Sequence, residues 1–439
     1  MNGNSPVFVA APCKGVSGEI RVPGDKSISH RVVILGAIAD GLTEATGFLD
    51  GADCLATLGA VVAMGVKVDR PARDRLIIHG VGMRGLKAPA ADLDLGNSGT
   101  AMRLLAGLLC AQDFDSVLVG DRSLSRRPME RVAVPLRRMG ADIRTNKGRP
   151  PLTISGRRTL HGCAHELEAS SAQVKSAILL AGLYAKGLTS VTEPAPSRDH
   201  TERMLKAFGV AVSHDGAAVS LGGPVAPSAC RIDVPGDFSS AAFFIVAGIV
   251  AGRAPLLIRG VGVNPTRTGL LDILRLMGAE IRLLDPREFG GEPVADLQVR
   301  PGPLRGVHVP HELVTSTIDE FPILFAAAAL AEGETLVRGA AELRVKESDR
   351  IAVMAEGLRT LGVQVETLPD GLRIQGGAVR GGVVESRGDH RVAMAVAVLA
   401  ARAVQPVGIR DVGYVATSFP GFVATARLAG LELDEEARA

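Results

Sequence analysis

The sequence predicts a mixed α/β (α+β) protein of two domains, each holding three copies of one repeated unit. Three observations carry this. The chain has 439 residues, more than one hydrophobic core usually serves. A helix end followed by glycine and a short alternating strand recurs six times. An apolar helix opened by a small polar residue also recurs six times, in phase with the first element.

The helix-end glycines are Gly65, Gly140, Gly209, Gly278, Gly362 and Gly430, spaced by 75, 69, 69, 84 and 68 residues. Each follows the pattern of an amphipathic helix stopped by a C′ glycine and then a strand, as in Met64-Gly65-Val-Lys-Val and Met277-Gly278-Ala-Glu-Ile. The second element opens at Ser27, Ser98, Ser171, Ser239, Asp319 and Asp389, with spacings of 71, 73, 68, 80 and 70. Ser and Asp are good N-caps. The helices that follow, such as Ala177-Ile-Leu-Leu-Ala-Gly-Leu183, are apolar nearly all round and therefore buried. Six buried helices do not share one small core, so two groups of three are expected. Val22-Pro-Gly-Asp25 returns as Val234-Pro-Gly-Asp237, close to three repeats later, and marks the crossovers. One domain is expected at about 25–235, and the other combines 1–24 with 236–439.

Composition excludes several classes. Apolar residues make up 46%, aromatics only 3%, and tryptophan is absent, so aliphatic side chains must fill the cores. A formal net charge of +2 gives no argument for a nucleic-acid or membrane partner. Cys13, Cys54, Cys110, Cys163 and Cys230 are scattered, which suits a reduced protein better than a disulfide framework. The first residues lack a basic stretch before an apolar core, so no secretory signal is read and a cytoplasmic location is expected. The longest apolar run, 241–252, is too short to span a bilayer and reads as a buried helix. Gly80-Val-Gly82-Met-Arg-Gly85 fits a dinucleotide fingerprint, but the residues after it do not continue as a helix. The histidines show no metal-ligand spacing, so neither metal nor cofactor is expected.

Several motifs gather groups that suit anions. Gly24-Asp-Lys26-Ser27-Ile-Ser-His-Arg31 turns into a helix whose free N–H groups, hydroxyl and ammonium suit phosphate or carboxylate, with Arg31 one turn after Ser27. Gly96-Asn97-Ser-Gly99-Thr100 allows close approach to backbone at a helix start. Arg122, Arg126 and Arg127 form a local cationic cluster of the kind that pairs with carboxylates and phosphates. Ser171-Ala172-Gln173 offers hydroxyl and amide groups for a polyhydroxylated ligand. Arg344-Val-Lys346-Glu347-Ser-Asp-Arg350 and Asp389-His-Arg391 mix cations with acids that could orient them. Each segment alone also reads as a capped helix or a solvated charged loop. Together, on six similar repeats, they predict a ligand, or ligand pair, with several phosphates and carboxylates.

Taken in order, GDKSISHR, GNSGTAMR, RRPM, SSAQVKSA, RDHTERM, DEFPIL, RVKESDR and GDHRVAM resemble the EPSP synthase family over nearly the whole chain. The resemblance implies a two-domain inside-out α/β barrel of six βαβαββ repeats, with the active site in the cleft between the domains. It implies transfer of the enolpyruvyl group of phosphoenolpyruvate to shikimate 3-phosphate by addition and elimination, without a cofactor, by a protein expected to be monomeric. Lys26, Ser27 and Arg31 are expected at the shikimate phosphate, with Lys26 also near phosphoenolpyruvate. Ser171, Ala172, Gln173 and Arg198 are expected along the shikimate side. Arg127, Arg350 and Arg391 are expected to clamp phosphoenolpyruvate near Asn97, Gly99 and Thr100. Asp319 is the expected base, Lys346 a shikimate 3-phosphate ligand, and Glu347 and Lys26 are expected in the proton transfers.

The resemblance is not uniform. Many family members have Ala-Lys-Thr-Phe-Pro near the C-terminus, where this chain has Ala416-Thr417-Ser418-Phe419-Pro420 and lacks that cation. This form and SAQVKSA resemble the family's second class, whereas Gly99-Thr100-Ala101-Met102 resembles the first and implies room for the inhibitor glyphosate. The rivals are a UDP-N-acetylglucosamine enolpyruvyl transferase, which usually has a cysteine in the loop before its Arg-Pro pair, and a non-catalytic phosphate or RNA-end binding protein on the same repeats. Residues 119–131 contain no cysteine.

Overall fold

The computed structural model describes residues 6–436. The chain divides into two compact units. One consists of Gly24–Val234 with Glu288–Glu292, and the other of the remaining described residues.

Within Gly24–Val234 three four-stranded sheets repeat one pairing scheme. In the first, Asp40–Thr46 pairs parallel with Arg231–Asp233 and antiparallel with Arg75–Val81, which pairs antiparallel with Lys67–Ala72. Ser116–Val119 repeats the scheme with Leu93–Asp94, Arg149–Ser155 and Asp142–Asn146. Gly187–Thr192 repeats it with Ala164–Glu166, Ala218–Gly223 and Ser213–Asp215.

The other unit uses the same scheme twice in full. Gly252–Gly262 lies between Val16–Arg21, parallel, and Glu292–Val299, antiparallel. Val7–Ala11 supplies the third strand of a sheet otherwise made from Gly382–Glu385, Val407–Arg410 and Glu432–Glu436. The remaining sheet has three strands, and an isolated parallel bridge from His308 to Leu336 stands where its parallel neighbour would be. The pairing gives six separate sheets and no closed barrel among the described residues.

The six helix-end glycines all have positive φ, between 80° and 102°. That backbone conformation is costly for other residues and closes a helix at C′, which is why glycine returns there. The six apolar helices are Lys26–Ile38, Gly99–Leu109, Ala172–Gly182, Phe238–Val250, Phe321–Ala329 and His390–Ala400, and nearly every residue in them is buried. The run at 241–252 falls largely in the fourth of these. No helix among the described residues is long and apolar enough to cross a membrane. Helices approach closely where side chains are small: a Cβ on Gly107 would lie 2.2 Å from the Ala177 carbonyl oxygen of the neighbouring helix. Each unit has its own apolar core. None of the five cysteines is joined in a disulfide among the described residues.

The caps differ in part from the sequence reading. Ser98, Ser171 and Asp389 cap their helices as expected. The first and fourth helices are capped by Asp25 and Asp237, not by Ser27 and Ser239; their carboxylates accept from the N–H groups of Ile28 at 3.0 Å and Ser240 at 3.1 Å. This explains why Val-Pro-Gly-Asp recurs: its aspartate starts a helix. The fifth helix begins after Glu320 rather than Asp319 and has no side-chain cap bond. The strand Arg75–Val81 is followed by turns and then Leu93–Asp94, with no helix at the dinucleotide-like glycines. A further difference concerns Glu288–Glu292, which belongs with Gly24–Val234 rather than with the rest of 236–439. There Glu292 meets His200 Nδ1 at 2.7 Å, and Arg203 donates to the Gly291 carbonyl at 2.8 Å.

His30, on the first apolar helix, is a core residue whose Nδ1 lies 2.7 Å from the Thr57 hydroxyl. Burial lowers its pKa to about 3; attraction to Asp53 opposes this, and Lys26 and Arg31 reinforce it. The neutral ring is thus favoured in the folded state. Stability from this group is fully present above pH ~6.5 and is lost as pH falls from there toward 3, because only the unfolded chain takes up the proton. Below pH 6.5 the wild-type unfolding free energy should therefore fall by about 1.4 kcal/mol per pH unit more steeply than that of His30→Gln. Urea unfolding at a series of pH values measures the difference, and equal slopes would contradict it.

Candidate active site

In the unit built on Gly24–Val234, three apolar helix starts carry the polar groups. Lys26 opens the first helix and forms an ion pair with Asp53, in the first turn of Ala52–Ala63. Arg31 lies beneath it, buried, donating to Ser27 O at 2.9 Å, Thr201 Oγ1 at 2.6 Å and Ser176 Oγ at 2.7 Å. Burial lowers its pKa to about 10, against the attraction of Glu202 and Asp25; nearby Arg198 lowers it further. It remains a cation at neutral pH, with at least three of its five N–H groups held by the protein.

The second and third helix starts are bound together. Gln173 accepts from Arg103 Nη1 at 2.5 Å and donates to Thr100 Oγ1 at 2.8 Å. Arg127 comes from the loop after Leu124–Arg126 and donates to Asn97 Oδ1 at 2.7 Å. Gly99 makes this crowding of cations possible. A Cβ there would stand 3.0 Å from both the Arg103 and the Arg127 Nη1 atoms. Ser171 caps the third helix, and Ala172 is its first residue.

In the other unit the cluster centres on Asp319. Lys346 Nζ is 3.5 Å and Arg350 Nη1 3.6 Å from its Oδ1, and Arg391 Nη2 is 3.9 Å from its Oδ2. Arg391 also donates to the Asp319 carbonyl at 3.1 Å. Arg350, only 1% exposed, donates to Asp389 at 2.8 Å and Glu347 at 2.6 Å. Burial disfavours its charge, but Asp389, Glu347 and Asp319 outweigh this and raise its pKa. The reverse holds for buried Asp389: desolvation raises its pKa, and the Arg350 charge brings it below the usual carboxylate range. Asp389 also accepts from Ser348 Oγ and from the Arg391 N–H, both at 3.0 Å. Asp319 is therefore a carboxylate ringed by three cations, which hold it in place and present positive charge to an anionic ligand. Lys346, at 23% exposure, is the most open of the three.

The structure thus brings Lys26, Ser27, Arg31, Arg198, Ser171, Ala172, Gln173, Asn97, Gly99, Thr100 and Arg127 to the helix starts of one unit. It brings Asp319, Lys346, Glu347, Arg350 and Arg391 together in the other. Sequence reasoning missed Arg103 as a site residue, although it follows Gly99 by one helical turn as Arg31 follows Ser27. It also missed Lys175, Glu193, Thr201, Glu202 and Glu320, whose pairings join residues distant in sequence. No group of acids, histidines and cysteines arranged to hold a metal ion is found among the described residues.

Paired three-repeat units with cation-rich helix starts define the enolpyruvyl transferase fold. The enolpyruvyl transferase NikO from Streptomyces tendae matches 99% of this chain with a TM-score of 0.79, and at 18% identity that likeness speaks for fold alone. The family model for EPSP synthase (3-phosphoshikimate 1-carboxyvinyltransferase) matches residues 11–425, and the chain belongs to that family. A 3-phosphoshikimate 1-carboxyvinyltransferase of Methylococcus capsulatus is 57% identical, covering 99% of this chain and all of that protein. One from Alkalilimnicola ehrlichii is 58% identical, covering 98% of each chain. A solved EPSP synthase from Acinetobacter baumannii has a TM-score of 0.89 at 51% identity, covering 98% of this chain and all of that one. The UDP-N-acetylglucosamine and non-catalytic alternatives find no support in these matches.

Arg350 is expected to be indispensable to the second cluster. Arg350→Met leaves Asp389 buried without its principal counter-charge and should cost about 3–5 kcal/mol of stability. The double variant Arg350→Met/Asp389→Asn removes the stranded charge and should recover part of that loss. Chemical unfolding of both variants checks the prediction, and a mild single-variant effect would contradict it.

Proposed function

We propose that the protein transfers the enolpyruvyl group of phosphoenolpyruvate to the 5-hydroxyl of shikimate 3-phosphate, releasing phosphate. The observation that carries the assignment of roles is Asp319, a carboxylate within 4 Å of Lys346, Arg350 and Arg391. Asp319 takes the proton of the 5-hydroxyl as that oxygen bonds to the enol carbon bearing phosphate. Glu347 or Lys26 protonates the methylene carbon, which gives a tetrahedral intermediate. The carbon–oxygen bond to phosphate then breaks and phosphate departs, the methyl carbon returns a proton to Glu347 or Lys26, and the enol ether forms.

The remaining groups hold the two anions and stabilise charge that develops on them. Lys26, Ser27 and Arg31 take the shikimate phosphate, joined by Lys346. Ser171, Ala172, Gln173 and Arg198 take the shikimate ring side. Arg127 and Arg391 hold phosphoenolpyruvate beside Asn97, Gly99 and Thr100. Arg350 completes this clamp while orienting Asp319 and Glu347. A cytoplasmic monomer is the accompanying proposal.

Phosphate release should require both substrates together. Lys26→Met should lower kcat by at least about 10²-fold while the folded state persists by circular dichroism. Full turnover in that variant would remove Lys26 from the mechanism. Gly99→Ala pushes on the Arg103 and Arg127 guanidiniums and should weaken glyphosate inhibition by about tenfold, a contact cost in the range of overpacked sites. An inhibition constant unchanged from wild type would exclude that room at Gly99 matters to the inhibitor.

A further inference from the structure

Beneath the third helix start lies a buried charge cluster that the reaction as described does not use. Lys175 Nζ lies 2.9 Å from Glu193 Oε2 and 2.8 Å from Glu202 Oε1, and all three side chains are at most 5% exposed. It also donates to the Ser197 carbonyl at 3.4 Å. Glu193 closes the loop that follows its strand: it accepts from the Ser197 hydroxyl at 2.7 Å and, at 2.7 Å, from the backbone N–H of Ser171. Thr201, beside Glu202 on His200–Ala207, accepts from Arg31 and shares a 2.6 Å hydrogen bond with Ser176. Lys175 and Arg31 balance Glu193 and Glu202, so the cluster is neutral as a whole. Burial works against the Lys175 charge, but the two carboxylates outweigh it and raise its pKa, so it stays charged.

Apolar side chains of similar volume often serve stability as well as a buried ion cluster. What this cluster does that they would not is fix polar partners. We propose that Lys175 and Glu193 are positioning residues for the acceptor substrate: together they set the Ser171 backbone and the loop presenting Arg198 in register with Arg31. The inference rests on the reading that Ser171, Arg198 and Arg31 bind shikimate 3-phosphate. Neither Lys175 nor Glu193 touches substrate in this account. Their effect passes through the groups they hold, much as outer-shell partners orient the ligands of a metal.

The test is a steady-state comparison of Glu193→Gln, which is nearly isosteric, with Lys175→Met, the double variant Lys175→Met/Glu193→Gln, and Arg198→Ala as reference. Glu193→Gln and Lys175→Met should each raise KM for shikimate 3-phosphate about tenfold, with KM for phosphoenolpyruvate changing less than about twofold. The double variant, again neutral, should regain much of the unfolding midpoint lost by Lys175→Met without regaining KM. Should Arg198→Ala raise KM for shikimate 3-phosphate while both single variants lower only the unfolding midpoint, the cluster is purely stabilising and the proposal fails alone. Should Arg198→Ala itself leave that KM unchanged, the acceptor does not bind at this helix start, and both readings fall together. If Lys175→Met does not fold, Glu193→Gln decides the matter by the same measurement.

Discussion

A helix that is apolar on every side can meet polar partners only at its ends. Three such helices lie in the core of each unit, and that constraint organises what surrounds them. Their N-terminal N–H groups need acceptors, which Asp25, Ser98, Ser171, Asp237 and Asp389 supply. The same ends favour anions through the helix dipole. Arginines and lysines one turn inside the helices, such as Arg31, Arg103 and Lys175, are long enough to bring charge to that end while their stems stay in the core. Packing and ligand recognition therefore use the same few residues. Repeating the unit multiplies the ends without adding a new kind of core.

The two clusters handle buried cationic charge in opposite ways. Arg31 sits mainly among hydroxyls and a carbonyl, and burial leaves its pKa lowered to about 10. Arg350 sits among three carboxylates and its pKa is raised. The first cation's hydrogen bonds go to hydroxyls and a carbonyl rather than to a carboxylate, so it gains from a bound anion. The second is already matched, so its immediate work is to hold Asp389, Glu347 and Asp319 in place. This difference separates a group suited to binding phosphate from one suited to arranging acids, although both are buried arginines near a helix start.

Much of the fold was legible because its punctuation is local. A C′ glycine must adopt positive φ, so Gly65, Gly140, Gly209, Gly278, Gly362 and Gly430 mark helix ends whatever packs around them. Caps were less legible where two polar residues stand close together. Asp25 and Ser27 both suit the role, and backbone geometry chose the aspartate. The unexpected placement of Glu288–Glu292 had no local signal, since it is contacts distant in sequence, Glu292 with His200 and Gly291 with Arg203, that reveal it. The same limit hid Glu193 and Glu202. Spacing along one helix can suggest that Arg31 shares a face with Ser27, but no pattern announces that Lys175 will meet two acids from a later loop and helix.

The place of the first strand bears on how the chain is made. Val7–Ala11 pairs with Val407–Arg410 on one side and Glu432–Glu436 on the other. A ribosome adding roughly 5–20 residues per second releases those partners some tens of seconds after the strand itself emerges. Gly24–Val234 is contiguous and can gather most of its core in the meantime, whereas the N-terminal segment has to wait with unpaired backbone on both edges. Phe8 and Ala10 face the eventual core, but all five residues of the strand are apolar, so its shortness is what limits the surface it offers to neighbouring nascent chains. Completion of the sheet thus awaits Glu432–Glu436, and a chain truncated before that strand would leave Val7–Ala11 unpaired along one edge.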